Sequence, residues 1–392
     1  MKLPEGVREV LDKAAGGGGI EREEAYQLMH IGEEHLPALT STALKVRLHG
    51  RGITTSFSRK AFIPLTNLCR NACRYCGFRK TPKDTDAKLM TPKEVLKIAK
   101  QAMLAGCNEA LFTLGEKPEE VYPEVRERLR ALGYENTIAY LYDACKLVIE
   151  ETGLIPHSNA GILTPREMAE LREVNASMGL MLESISERLC GEGGPHELSP
   201  GKKPKRRLSV IEDAGRQRVA FTTGLLIGIG ETLEERVDSL FAIKKLHEQY
   251  GHIQEVLIQN FKARVGTPME KSAEPSSLEV TKTLAVARLI LGGEVNIQAP
   301  PNLNSEIQPI LLQAGVNDWG GISPVTIDYI NPEAPWPSID RLKEVTERAG
   351  FVLKERLPIY PEFITKKQGF IPEGLKDLIL SRIDEEGYVK VG

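Results

Sequence analysis

Three cysteines in one short loop carry the most reactive chemistry in this chain. Cys69, Cys73 and Cys76 are spaced C-x-x-x-C-x-x-C, Tyr75 stands directly before the last of them, and an apolar run, Ala61-Phe62-Ile63-Pro64-Leu65, leads into the loop. No fourth cysteine and no close histidine completes the set. Three ligands leave a structural zinc one short of its closed tetrahedron, and the runs that fully ligate a ferredoxin-type cluster are spaced differently. A cubic iron-sulfur cluster held by three thiolates keeps one iron free for a further ligand, and that open iron is the chemistry the spacing points to. The competing reading is a zinc knuckle, because three-ligand protein zinc sites occur in enzymes.

This spacing, with an aromatic residue before the last cysteine and a strand before the loop, resembles the signature of the radical S-adenosylmethionine (SAM) superfamily. The resemblance implies that Cys69, Cys73 and Cys76 hold a 4Fe-4S cluster whose open iron binds the amino and carboxylate groups of SAM. It also implies an external electron donor and cleavage of the sulfonium to a 5′-deoxyadenosyl radical. Further segments carry the likeness. Gly115-Glu116 resembles the "GE-like" segment that meets the SAM amino group. Glu183 and Arg207 resemble the acid and the arginine that contact SAM in the biotin-synthase-like group. Gly224-Leu-Leu-Ile-Gly-Ile-Gly-Glu231 resembles the G-x-I-x-G-x-x-E run under the adenosyl group, with Leu226 in place of the isoleucine.

Those residues need a frame that brings them together. Before residue 55 the pattern is helical and connective, broken at Gly16-Gly17-Gly18-Gly19, and Thr91-Pro92 opens a helix with a capping hydroxyl and a proline at its first position. From Phe62 onward, strand-like runs at 109–113, 154–158, 179–182, 219–227, 255–261, 295–298 and 316–319 alternate with helical patterns. Eight strands alternating with helices predict a full (β/α)8 TIM-type barrel, as in the biotin-synthase-like members of the superfamily. The expected division is an N-terminal helical extension at 1–57, the barrel at 58–336, and a C-terminal helix and tail at 337–392 packed on it. In such a barrel, chemistry gathers where strands end. That rule adds Ser158 and Asn159 to the candidate SAM contacts, and Gln259, Asn260, Gln298, Asn302 and Asn304 to those for substrate. Asp318 is the candidate for proton transfer.

Composition sets the wider bounds. Hydrophobic residues make up 41% and charged residues 27% of 392, and the net charge of −3 gives no overall field, so neither nucleic acid nor membrane is expected as a partner. The absence of an apolar leader and the use of thiolate ligands suit a cytoplasmic, reducing setting. Cys107, Cys145 and Cys190 read as small buried side chains. The basic run 202–207 reads as a solvated loop, with Arg207 the exception.

Two stretches narrow the family. Ile63 to Asn71 (I-P-L-T-N-L-C-R-N) and Glu109 to Glu120 (E-A-L-F-T-L-G-E-K-P-E-E) are similar to the CofG-type subunit family of 7,8-didemethyl-8-hydroxy-5-deazariboflavin (FO) synthases. That resemblance implies a radical SAM lyase. Its substrate would be the hydroxybenzyl adduct of 5-amino-6-(D-ribitylamino)uracil made by a CofH-type partner subunit, and ring closure with loss of ammonia would give FO. The sister subunit, another biotin-synthase-like radical SAM lyase, and a zinc-binding structural α/β protein remain as alternatives at this point.

Overall fold

Apolar and β-branched runs lying between capped helices fold into parallel strands, each returned to the same end of the sheet by a crossover helix. The computed structural model describes residues 3–390. Within them β1 (Thr54–Thr66), β2 (Glu109–Leu114), β3 (Ile155–Asn159), β4 (Ser177–Gly179), β5 (Phe221–Ile227), β6 (Ile253–Asn260), β7 (Asn296–Gln298) and β8 (Asp318–Ile322) pair in order, and β1 pairs with both β8 and β2. The expected eight-stranded barrel is therefore closed. Helix starts are fixed locally: Thr91, Thr164 and Thr232 each accept a hydrogen bond from the N–H three residues on, while Glu94, Glu167 and Glu235 reach back to the capping residue.

Two strands differ from expectation. β4 spans Ser177–Gly179 rather than 179–182, because the chain then leaves regular geometry and Glu183, at φ +65°, makes only an isolated bridge to Leu225. β8 begins at Asp318 and runs through Gly320 and Gly321. Glycines argue against a strand in sequence. Here Gly321 gives room to a neighbour, since a Cβ on it would lie 1.9 Å from Lys60 Cε.

A ninth strand, β9 (Val352–Glu355), pairs parallel with residues 54–57 of β1, below the stretch 60–66 that pairs with β2. β1 thus starts at Thr54, inside the segment assigned to the N-terminal extension. Helices Arg22–Met29 and Leu36–Arg51 pack on the barrel helices Leu233–Tyr250 and Ser277–Leu291, helix Glu5–Ala15 packs on those two N-terminal helices, and the buried side chains of all three belong to the main core. Beyond β9, Leu357, Ile359, Tyr360 and Phe363 cluster with Ile155, Ala176 and Ala220 at the starts of β3, β4 and β5. The tail therefore covers the N-terminal end of the barrel, a choice the sequence left open. Among the described residues no helix is long and apolar enough to cross a membrane.

Candidate active site

The three cysteines border a chamber of about 380 Å³ that runs down the barrel lumen. Their loop is pinned from both sides. On one side Glu116 donates its N–H to Cys69 Sγ at 3.2 Å, and the Arg70 N–H donates to the Glu116 carbonyl at 3.0 Å. On the other, Ala72 and Arg74 donate backbone N–H bonds to Leu198 and Pro195, and the Ser199 hydroxyl donates to Cys73 Sγ at 3.3 Å. Gly115 is required by close approach: a Cβ there would lie 1.9 Å from the Leu68 carbonyl oxygen and 2.8 Å from Cys69 Cβ.

These thiols suit a multinuclear cationic group. Burial pushes Cys69 up to about 12 and raises Cys76, so their thiolates need a positive partner beyond the protein's own donors. Among the described residues no group of three His, Cys, Asp or Glu side chains converges on a single-ion site, which is what the zinc reading requires. The residues present, three free cysteines bordering a partly enclosed chamber with hydrogen-bond donors on two sulfurs, fit a 4Fe-4S group.

Of the candidate SAM contacts, Gly115, Glu116, Asn159, Glu183 and Arg207 line the chamber. Glu116 is heavily engaged: Arg70 lies 2.7 Å from its Oε1, Ile162 N–H donates to its Oε2 at 3.2 Å, and a Cβ on Gly201 would strike its carboxylate. Glu183 pairs with Lys202 and lies 3.9 Å from Arg207, whose Nε donates to the Gly201 carbonyl at 3.0 Å. Lys202 is thus an ion-pair partner in the wall rather than part of a solvated run.

Three candidates are placed elsewhere. Ser158 turns to the outer face of β3 and donates to Asn175 Oδ1 at 2.7 Å, because alternate strand residues face opposite ways. Glu231 does not reach the chamber. Its oxygens accept from Gly228 and Ile229 N–H at 2.7 and 2.9 Å, with Arg236 Nε at 2.7 Å, so it shapes the turn after β5. Asp318, at the first position of β8, is fully buried behind the lumen wall. It is held by Arg356, with Nε at 2.7 Å and Nη2 at 2.9 Å, and accepts from Ser56 Oγ at 2.5 Å. It lies at the closed end, away from the cysteines, and makes no contact with the chamber. Of the polar strand-end residues, Gln259 and Gln298 reach the chamber, while Asn260, Asn302 and Asn304 line a separate cleft.

The lumen also contains groups that the strand-end rule passes over. Lys60, His157 and Glu255 point inward from within their strands and Glu109 from the first position of β2, and Phe62 stacks on Trp336 with centroids 5.1 Å apart and planes at 11°. Burial pushes His157 down to about 4, so its ring is neutral near pH 7. Burial opposes ionisation of Glu109, but Lys60 and its other neighbours more than offset this and hold its carboxyl below the usual range. The available signal was an isolated titratable side chain in a strand-like run, with no alternation to show which face it occupies.

Residues 63–243 match the family model described as the Radical SAM superfamily. The chain is 52% identical over 335 residues to 7,8-didemethyl-8-hydroxy-5-deazariboflavin synthase of Methanopyrus kandleri, covering 86% of this chain and 99% of that one. With the protein of the same name from Methanothermobacter thermautotrophicus the identity is 51% over 84% and 97% of the two chains. It is 45% identical to FO synthase of Streptomyces coelicolor over 97% of its own length, and spans 45% of that longer protein. Among solved structures, the FeFe-hydrogenase maturase HydG from Carboxydothermus hydrogenoformans superposes with a TM-score of 0.74 at 20% identity, covering 90% of this chain and 80% of that one. Methylornithine synthase (PylB) superposes with a TM-score of 0.69 at 22% identity, covering 88% and 97%. Both likenesses concern the fold alone. A three-thiol loop at the mouth of a closed barrel, together with near-full-length relatives at half identity, places this chain in the 7,8-didemethyl-8-hydroxy-5-deazariboflavin synthase family of the radical SAM superfamily.

Proposed function

We propose that this radical SAM enzyme converts the hydroxybenzyl adduct of 5-amino-6-(D-ribitylamino)uracil into FO with loss of ammonia, as a lyase working after a CofH-type partner. The observation that carries this reading is one continuous chamber with the three cysteines at one end and a wall of aromatic and hydrogen-bonding side chains below them. When bound, the cluster and SAM supply a 5′-deoxyadenosyl radical on receipt of an electron from an external donor. The chain's own residues hold and shield that chemistry. Cys69, Cys73 and Cys76 ligate the cluster, and Glu183, Arg207 and Asn159 offer polar groups where SAM would lie. Phe62, Tyr329 and Trp336 present flat apolar surface for a ring, and the tail below them excludes water from the far end.

The test is product formation. Anaerobically reconstituted protein given SAM, a reductant, tyrosine, the ribitylated diaminouracil and a CofH-type partner is expected to yield a fluorescent deazaflavin, 5′-deoxyadenosine and methionine. Omitting this protein, or replacing any one of the three cysteines with alanine, is expected to abolish the fluorescence, and in the variants the bound iron as well. Deoxyadenosine formation without deazaflavin would retain the radical SAM chemistry and overturn the substrate assignment.

A further inference from the structure

The lower half of the lumen is polar, where a (β/α)8 interior is ordinarily filled by branched apolar side chains. Lys60, Glu109, Thr222, Glu255 and Arg356 all face the cavity there. Both cations are already paired: Lys60 Nζ lies 2.7 Å from Glu109 Oε1, and Arg356 grips Asp318 through two nitrogens. Glu255 is different. Its Oε2 accepts from Thr222 Oγ1 at 2.9 Å and the Tyr360 hydroxyl stands beside the carboxylate, but its Oε1 has no well-directed hydrogen bond, and the nearest cation, Arg356 Nη2, is 3.7 Å from it. The residue is only 4% exposed. A buried carboxylate oxygen without a donor is costly, and such a group calls for an explanation. Here the open cavity beside it leaves room for the donor of a ligand.

Charge narrows the ligand class. Of the charged groups on the floor, Lys60 is matched by Glu109, and Arg356 is held by Asp318 behind the wall with Glu255 beside it, so no cation is free for an added anion such as a phosphate and the floor suits hydroxyl or amine donors. We propose that Glu255 is a specificity-determining residue that receives the hydroxyl-bearing chain of the substrate in its unphosphorylated form. The identity of that chain as ribityl rests on the function proposed above. Burial raises the Glu255 carboxyl, and Arg356 only partly offsets this, so the group is suited to sharing a proton with a hydroxyl.

The two tryptophans of the chain, Trp319 and Trp336, both line the chamber, so their fluorescence reports what occupies it. Reconstituted protein is titrated with 5-amino-6-(D-ribitylamino)uracil, with its 5′-phosphate, and with 5,6-diaminouracil, which lacks the chain. Wild type is expected to bind the ribityl compound about tenfold more tightly than either of the others. Glu255→Leu is expected to lose the preference over diaminouracil. Glu255→Gln is expected to keep that preference and to admit the phosphate more readily. Should circular dichroism show Glu255→Leu to be unfolded, the Gln variant decides alone. No preference in wild type, a preference intact in a folded Leu variant, or undiminished exclusion of the phosphate by the Gln variant would each overturn the assignment. The product assay keeps the two proposals apart: deazaflavin formed without any ribityl preference sinks the floor assignment alone, while a ribityl preference without deazaflavin sinks the function alone.

Discussion

Asp318 shows how one position along a strand changes a side chain's work. A strand ending at residue 319 would set this carboxylate on the catalytic rim; a strand beginning at 318 puts it at the opposite end, locked to Arg356 and Ser56. Removing one partner of a buried pair leaves the other charge uncompensated, at a cost of about 3–5 kcal/mol. Asp318→Asn is therefore expected to lower the thermal midpoint sharply while leaving 5′-deoxyadenosine formation per folded molecule intact. A variant as stable as wild type but unable to cleave SAM would contradict this placement. The cysteines, by contrast, were legible from type and spacing alone. Ligation is local in sequence, whereas the direction a strand residue faces depends on where the strand begins.

Elements explain the rest of that contrast. Helix starts were readable because a capping box is written within four residues, as at Thr91 and Glu94. The inward set of Lys60, Glu109, His157 and Glu255 was not, because a barrel strand is covered on both faces and carries no clean polar alternation. Gly115 lies between these cases: the motif marked it for SAM, and the structure adds a steric role. With a Cβ only 1.9 Å from the Leu68 carbonyl, Gly115→Ala must push the cysteine loop away from β2. The variant is expected to bind less than half the wild-type iron after reconstitution, by iron and sulfide analysis, with the barrel still folded by circular dichroism. Full iron content would show that the loop tolerates the shift.

Across the whole molecule, buried and half-buried histidines make the fold sensitive to acid. Burial holds His157 and His247 down to about 4 and His252 to about 3, against 6.5 for a free ring. Above about pH 6.5 folded and unfolded chains alike keep these rings neutral. Below it the unfolded chain takes up protons that the folded chain refuses, so stability falls as the pH drops toward 4, by about 1.4 kcal/mol per ring per pH unit. His252 packs between Phe221 and Tyr250, so His252→Phe is expected to flatten the acid limb by one ring's share in urea titrations from pH 7 to 4.5. An unchanged slope would exclude His252 as a contributor. The joining of β9 to β1 bears on the order of assembly. Residues 54–57 pair with a strand that begins only at Val352, so during synthesis the base of the vessel stays unsealed until about three hundred further residues have left the ribosome. Until that late arrival, the thiols sit over an open-ended tube, and the stopper that protects a radical from solvent emerges only after every strand of the barrel it closes.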